Sequence, residues 1–147
     1  MKYKFEAEVT AALRDYPQQL AALETIPLQI QALKLQADAI RSACSDGTPV
    51  AGGTNRREDA MIDNIFRREC KERELKIARI KVAAIEKALR TLTDTERRVV
   101  EVFYIHRLKN HIDLLCDELG YEPAHVYRIK DLAILKLAKA LSGHAEG

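Results

Sequence analysis

Tryptophan is absent from the 147 residues, and aromatic side chains of any kind make up only 5%. The apolar content, 47% in all, is therefore mostly Ala, Leu, Ile and Val, a palette suited to helix-on-helix packing. Glycine and proline are scarce, at six and four. That leaves too little punctuation for a fold of many short strands. No stretch approaches the ~18 to 20 apolar residues of a membrane span, so no membrane partner is expected. The start, Met1-Lys2-Tyr3-Lys4-Phe5-Glu6, has no apolar signal-peptide core. Cys44, Cys70 and Cys116 are odd in number, widely spaced and without a C-x-x-C pair. They read as three free thiols in a reducing cytoplasm, with no metal site and no cofactor.

Signatures of catalysis are missing too. No nucleophile–base pair, glycine-rich phosphate loop or carboxylate dyad stands at a telling spacing. Cys116 with His111 or His106 superficially suggests a thiol site, but Cys116 falls where a helix core takes a small residue. The expectation is a non-enzymatic protein.

What is present is helical periodicity. Leu23, Ile26, Ile30, Leu33, Ala37, Ile40 and Cys44 recur in alternating steps of three and four, a heptad seam about three repeats long. Tyr16-Pro17 marks a break ahead of it. Pro27 lies inside it, where a lost hydrogen bond costs roughly 3 kcal/mol; a kink there, or two helices meeting near Ile26, is expected. Ser45–Asn55, with Asp46-Gly47-Thr48-Pro49 and Gly52-Gly53-Thr54, reads as a linker. A long helix is expected from about Arg57 to Arg90. Met61, Ile62, Ile65 and Phe66 lie in its first part. A second seam follows in Leu75, Ala78, Val82, Ile85, Leu89 and Leu92. The charged run Arg67–Glu74 between them reads as a solvated face with i,i+4 pairs, or as a nucleic-acid patch. The two seams suggest an antiparallel helical hairpin, or a zipper between two copies.

Charge is uneven. Residues 56–92 hold 11 basic and 7 acidic side chains, a net of +4, whereas residues 93–147 hold 8 and 9, a net of −1. All four histidines fall in that last segment.

The same segment carries the sharpest local signals. Thr93-Asp94-Thr95-Glu96 is a capping box, with Asp94 adding negative charge at the positive helix end. A helix should run from there to about His106, burying members of the set Val99, Val100, Val102, Phe103 and Ile105. Arg107–Asn110 reads as a turn. A short helix, His111 to Leu119, turns Ile112, Leu115, Cys116 and Leu119 inward and is closed by Gly120. Tyr121-Glu122-Pro123 is the next turn. Pro123 at the first helical position opens a helix to about Leu141, with Val126, Ile129, Ala133, Leu137 and Leu141 buried. Two helices joined by a tight glycine-containing turn are the layout of a helix-turn-helix, which sends the start of its second helix into the major groove. The fold class expected is all-α: an N-terminal helical segment (1–44), a linker (45–55), a long coiled-coil helix (56–91) and a C-terminal helix-turn-helix domain (92–142).

The string from Leu92 to Leu141 resembles region four of bacterial sigma factors. Leu92 and Glu96-Arg97 match that family's start, Leu115-Cys116 and Leu119-Gly120 its middle. Val126, Ile129, Ala133-Ile134 and Lys136-Leu137 match its end. The whole layout, from Leu13-Arg14-Asp15-Tyr16-Pro17 onward, resembles phage regulators of late transcription of the RinA and ArpU type. The resemblance implies a sequence-specific DNA-binding transcriptional regulator encoded by a phage or prophage. Two positions depart from the pattern: Glu122 stands where a Ser or Thr cap is usual, and the recognition helix is poor in arginine.

Matching positions at the start of that helix nominate Ala124, His125, Tyr127 and Arg128, with Asp131 one turn on; Lys130 is a further phosphate candidate. Arg128 suits bidentate donation to guanine; pairing with Asp131 is its plain alternative. Tyr127 suits a phosphate or a thymine methyl, or else packs on the domain surface. His125 suits a phosphate or base edge, and Lys109, Asn110 and His111 suit the DNA backbone; plain surface residues are the competing reading for both histidines. The expected partners are double-stranded DNA, RNA polymerase, and a second copy through the coiled-coil helices. A phage terminase small subunit and an RNA-polymerase-binding co-regulator are the competing assignments.

Overall fold

The computed structural model describes residues 2–44 and 53–142, and these are all-α, with no strand among them. The helices are α1 (Lys2–Cys44), α2 (Gly53–Leu89), α3 (Asp94–Val100), α4 (His111–Leu119) and α5 (Pro123–Ser142), with a π-helical turn at Glu101–Ile105. Most of the expected linker, residues 45–52, lies outside the described residues, while residues 53–55 already belong to α2.

Two expectations need correction. The break at Tyr16-Pro17 and the division near Ile26 do not occur, because α1 is one helix through both prolines. Each proline withdraws a single amide from the ladder. Burial on either side offsets that loss, since Leu13 ahead of Pro17 is wholly buried and Ile26 and Ile30 around Pro27 are nearly so. The helix expected to reach His106 changes character after Val100. There the ladder widens, and the His106 amide donates to the Glu101 carbonyl at 2.7 Å. Val102 and Phe103 within this turn are both buried.

The chain divides into two compact units, Leu20–Arg79 on one hand and Met1–Gln19 with Ile80–Gly147 on the other. The first is an antiparallel pair. Ile26 and Ile30 of α1 cluster with Leu75 of α2, flanked by Ala22 and Leu23. Nearer the open end the α2 seam turns polar. Asn64, 2% exposed, donates from Nδ2 to the Leu33 carbonyl at 2.8 Å and accepts from Arg68 Nε at 2.9 Å. Arg57 donates to the Ala43 carbonyl. The N-terminal seam thus meets α2 of the same chain at Leu75 and Asn64, while Ile85 and Leu92 of the second seam pack with Val9 and Leu13 instead. Ile62, Ile65 and Phe66, named with the apolar pattern, are exposed. The charged run carries Arg67–Asp63 and Lys71–Glu74 pairs at 3.0 and 3.2 Å, as a solvated helix face should.

The second unit joins both ends of the sequence. Val9 and Leu13 of α1 pack with Ile85 and Ala88 of α2, Leu92, Val100 of α3, and Ala133, Ile134 and Leu137 of α5. Tyr16 donates from its hydroxyl to Glu86 at 3.0 Å. Burial raises the phenol's pKa, with the carboxylate adding to the shift. The start of α1 and the end of α2 thus form the platform under the C-terminal helices.

Candidate nucleic-acid interface

The C-terminal helices are fixed from the bottom by a capping box that does more than cap. The Thr93 hydroxyl accepts from the Glu96 amide at 3.2 Å, and the Thr93 amide donates to Glu96 Oε1 at 3.0 Å. The same carboxylate oxygen accepts from Lys136 Nζ of α5 at 2.8 Å. Burial alone would raise the Glu96 carboxyl pKa, but Lys136 and Thr93 outweigh it and hold the group below its ordinary value. Arg98 ties α3 to α4 by donating to Glu118 at 2.8 Å.

Above this base a second apolar cluster holds α4 against α5. Val99, Val102, Phe103, Leu115 and Val126 are buried together, with Ile112, Cys116, Leu119 and Ile129 packed around them. Cys116 sits among these contacts as the small residue expected there. Gly120 closes α4 at φ 73°, its amide donating to the Cys116 carbonyl at 2.9 Å. This left-handed geometry is cheap for glycine alone. Two residues later the Glu122 carbonyl accepts from the His125 and Val126 amides at 3.0 and 3.1 Å. Glu122 therefore starts α5 with its backbone, and Pro123 occupies the first turn, where its missing N–H costs nothing.

Most residues nominated from the sequence lie on the outer surface of this helix pair. Ala124, His125, Tyr127 and Arg128 are exposed at the start of α5. Arg128 makes no hydrogen bond or ion pair among the described residues, and in particular does not pair with Asp131. Asp131 instead binds Lys130 at 2.7 Å. Lys130 is half-buried. Burial would lower its pKa, but Asp131, with Tyr104 and Glu6 nearby, raises it overall. Lys130 is thus committed inward and is the poorest phosphate candidate of the set. Tyr127 packs edge-to-face with Phe103 at 5.9 Å between centroids, and 46% of it stays exposed. His125 stacks edge-on with Tyr121 at 4.5 Å.

The second group stands at the start of α4. Lys109 and Asn110 are exposed, and the Asn110 side chain makes no capping bond. His111 is anchored rather than free: its ring is 4.8 Å from Phe103 and its Nδ1 is 3.1 Å from the Leu108 carbonyl. A carbonyl only accepts, so Nδ1 carries the proton. Arg107, Leu108, Lys109 and His111 line a shallow recess of about 370 Å³. Arg107 was not singled out from the sequence. Its position two residues before Lys109, in the turn that feeds an amide-rich helix start, was the available signal.

Further along α5, Leu132 and Leu135 are 58% and 40% exposed. They follow Arg128 at helical spacing. Among the described residues no group of three His, Cys, Asp or Glu side chains converges as a metal site would require. No protein-family model, no curated protein and no solved structure matches the chain.

Proposed function

We propose that α4 and α5 form a helix-turn-helix that reads double-stranded DNA, and that the protein is a transcriptional regulator of the phage RinA/ArpU type. The observation that carries this reading is the α4–Gly120–α5 pair with Arg128, unpaired among the described residues, exposed at the start of its second helix. A guanidinium free of internal partners keeps all its donors for the O6 and N7 of a guanine. Tyr127 beside it offers a hydroxyl for a phosphate. Arg107, Lys109 and the α4 amides offer backbone contacts that set the register. The sigma-like pattern from Leu92 to Leu141 supports the same reading.

Charge limits what the module does alone. Phosphate neutralisation by Lys and Arg supplies most nonspecific affinity, and residues 93–147 carry a net of −1. Tight binding therefore requires a second copy, RNA polymerase, or the positive α2 helix. One observation favours an added role in gripping polymerase. Leu132 and Leu135 leave an apolar strip on α5 just beyond the DNA-reading turn.

The test is a mobility shift of the full-length protein against fragments of its own genome neighbourhood, with salt varied. A fragment retained against competitor DNA and weakened about 10- to 100-fold by Arg128→Ala supports a sequence reader. Its position before a late promoter indicates the regulator, and at a packaging site the terminase small subunit. No specific fragment at low salt removes direct readout and leaves the polymerase-binding co-regulator.

A further inference from the structure

The helix α1 has two seams, and only one of them has a partner. Its inward seam (Leu23, Ile26, Ile30, Leu33, Ala37) faces α2. On the opposite side Ala21, Thr25, Leu28, Ala32, Leu35 and Ala39 also recur in steps of four and three, and every one of them is exposed. At about 100° per residue, Leu28 lies about 200° around the helix from Ile26, so the two seams are back to back. Leu28 and Leu35, one heptad apart, are 64% and 65% exposed, among the most exposed large apolar side chains of the chain. A helix that only needed to cover α2 would carry charge here, as the outer face of α2 does at Glu69 and Arg73. None of the six positions is charged.

We infer that this outward seam is the contact for a second copy of the chain, aligned parallel and in register. Its pattern has Leu at one heptad position and Thr or Ala at the other, which a like seam matches layer by layer. The flanks decide the direction. Glu24, Gln31 and Asp38 border one side of the seam, Gln29, Gln36 and Ala43 the other. A parallel pair sets Glu24 beside Gln29 of the partner subunit and Gln31 beside Gln36 of the partner subunit, with no like charges in contact. An antiparallel pair brings Glu24 against Asp38 of the partner subunit, a repulsive match. The outward side of α2 also exposes Ile62, Phe66, Ile77 and Ile80, but Glu69 and Arg73 split them into two patches, which makes it the poorer partner.

Association is measured without DNA, so its failure and the failure of the DNA-reading proposal are separate results. Light scattering of the full-length chain at micromolar concentration should give twice the chain mass. Leu28→Glu with Leu35→Glu should give a monomer of unchanged helical circular dichroism, since both side chains are exposed in the single chain. In a full-length chain carrying Cys44→Ser, Cys70→Ser and Cys116→Ser, Leu28→Cys should oxidise to a disulfide-linked dimer with its own copy. A wild-type monomer overturns the inference, as does a dimer that survives both glutamates. Cross-linking only when Thr25→Cys and Leu35→Cys chains are mixed establishes the antiparallel pair and overturns the parallel one.

Discussion

Lys136 Nζ stands 2.8 Å from Glu96 Oε1, forty residues away in sequence, and the same oxygen caps α3 through the Thr93 amide at 3.0 Å. One buried carboxylate thus starts a helix and pins the long α5 to it. Removing it with Glu96→Ala deletes the reciprocal half of the cap and leaves Lys136 without its partner. A lost cap costs about 0.5–2 kcal/mol and a charged hydrogen bond about 1.5–3 kcal/mol. We expect about 2–3 kcal/mol in urea unfolding, less than the sum because Lys136 is half-exposed and rehydrates. The pH dependence has a definite sign. The folded carboxyl is held below its ordinary value, about 4.3, so its stabilising effect is full above that value. It is lost as pH falls through the folded value. Stability should decline below about pH 5, and Glu96→Gln should flatten that decline; an unchanged slope in Glu96→Gln would assign the acid sensitivity elsewhere.

Asn64 is a polar residue at a seam position of the hairpin. Its amide is satisfied on both sides, by the Leu33 carbonyl and by Arg68. Buried seam asparagines select one register at a cost in stability. Asn64→Ala should lower stability by about 1–2 kcal/mol, from the lost bond and the cavity. Asn64→Leu should match or exceed wild type in thermal unfolding, because the Leu33 carbonyl keeps its helical acceptor role. A strongly destabilised Asn64→Leu would show that its hydrogen bonds outweigh apolar burial at this seam.

Gly120 holds the α4–α5 turn at φ 73°, and a Cβ there would meet nothing within 4 Å. The whole penalty for a side chain is therefore backbone strain, about 1–2 kcal/mol for alanine. Asparagine, which tolerates the left-handed region, should cost less. Chemical denaturation of Gly120→Ala and Gly120→Asn tests this ranking. Equal costs would point to a turn that rearranges instead of straining.

The C-terminal helices were legible because their signals are local. A capping box, a glycine at a helix end and a proline at a helix start each announce themselves within four residues, and α3 begins, α4 ends and α5 begins where those signals stand. The π-helical turn was not legible. No cap or turn residue marks it, and Val102 and Phe103 within it pack with Leu115 of α4 and Val126 of α5, contacts that no local pattern announces. The continuity of α1 was misread for a related reason: proline weakens a helix locally, and tertiary burial decides whether that is enough. The outward seam of α1 was overlooked because Ala and Thr score weakly as hydrophobes. Only their shared exposure with Leu28 and Leu35 makes the stripe visible. Of the nominated DNA residues, the sequence could not tell that Lys130 turns to Asp131 while Arg128 stays free. That is a choice of rotamer and neighbour, not of residue type.

If the C-terminal helices read DNA as proposed, Lys109, Arg128 and Lys130 make different kinds of contact. Lys109 is exposed at the start of α4, where a phosphate contact carries no sequence information. Lys109→Ala should weaken specific and nonspecific fragments alike and reduce the slope of log affinity against log salt by about 1. Arg128→Ala should act differently. It should cost about 1–3 kcal/mol on the specific fragment and leave nonspecific affinity much less affected. Lys130→Ala should do least of the three to DNA, because its ammonium is already spent on Asp131. The three variants, titrated at several salt concentrations against one specific and one scrambled fragment, give the pattern directly. If Lys130→Ala proves as damaging as Lys109→Ala at unchanged stability, the side chain swings outward on binding. The committed cation would then be a phosphate ligand after all.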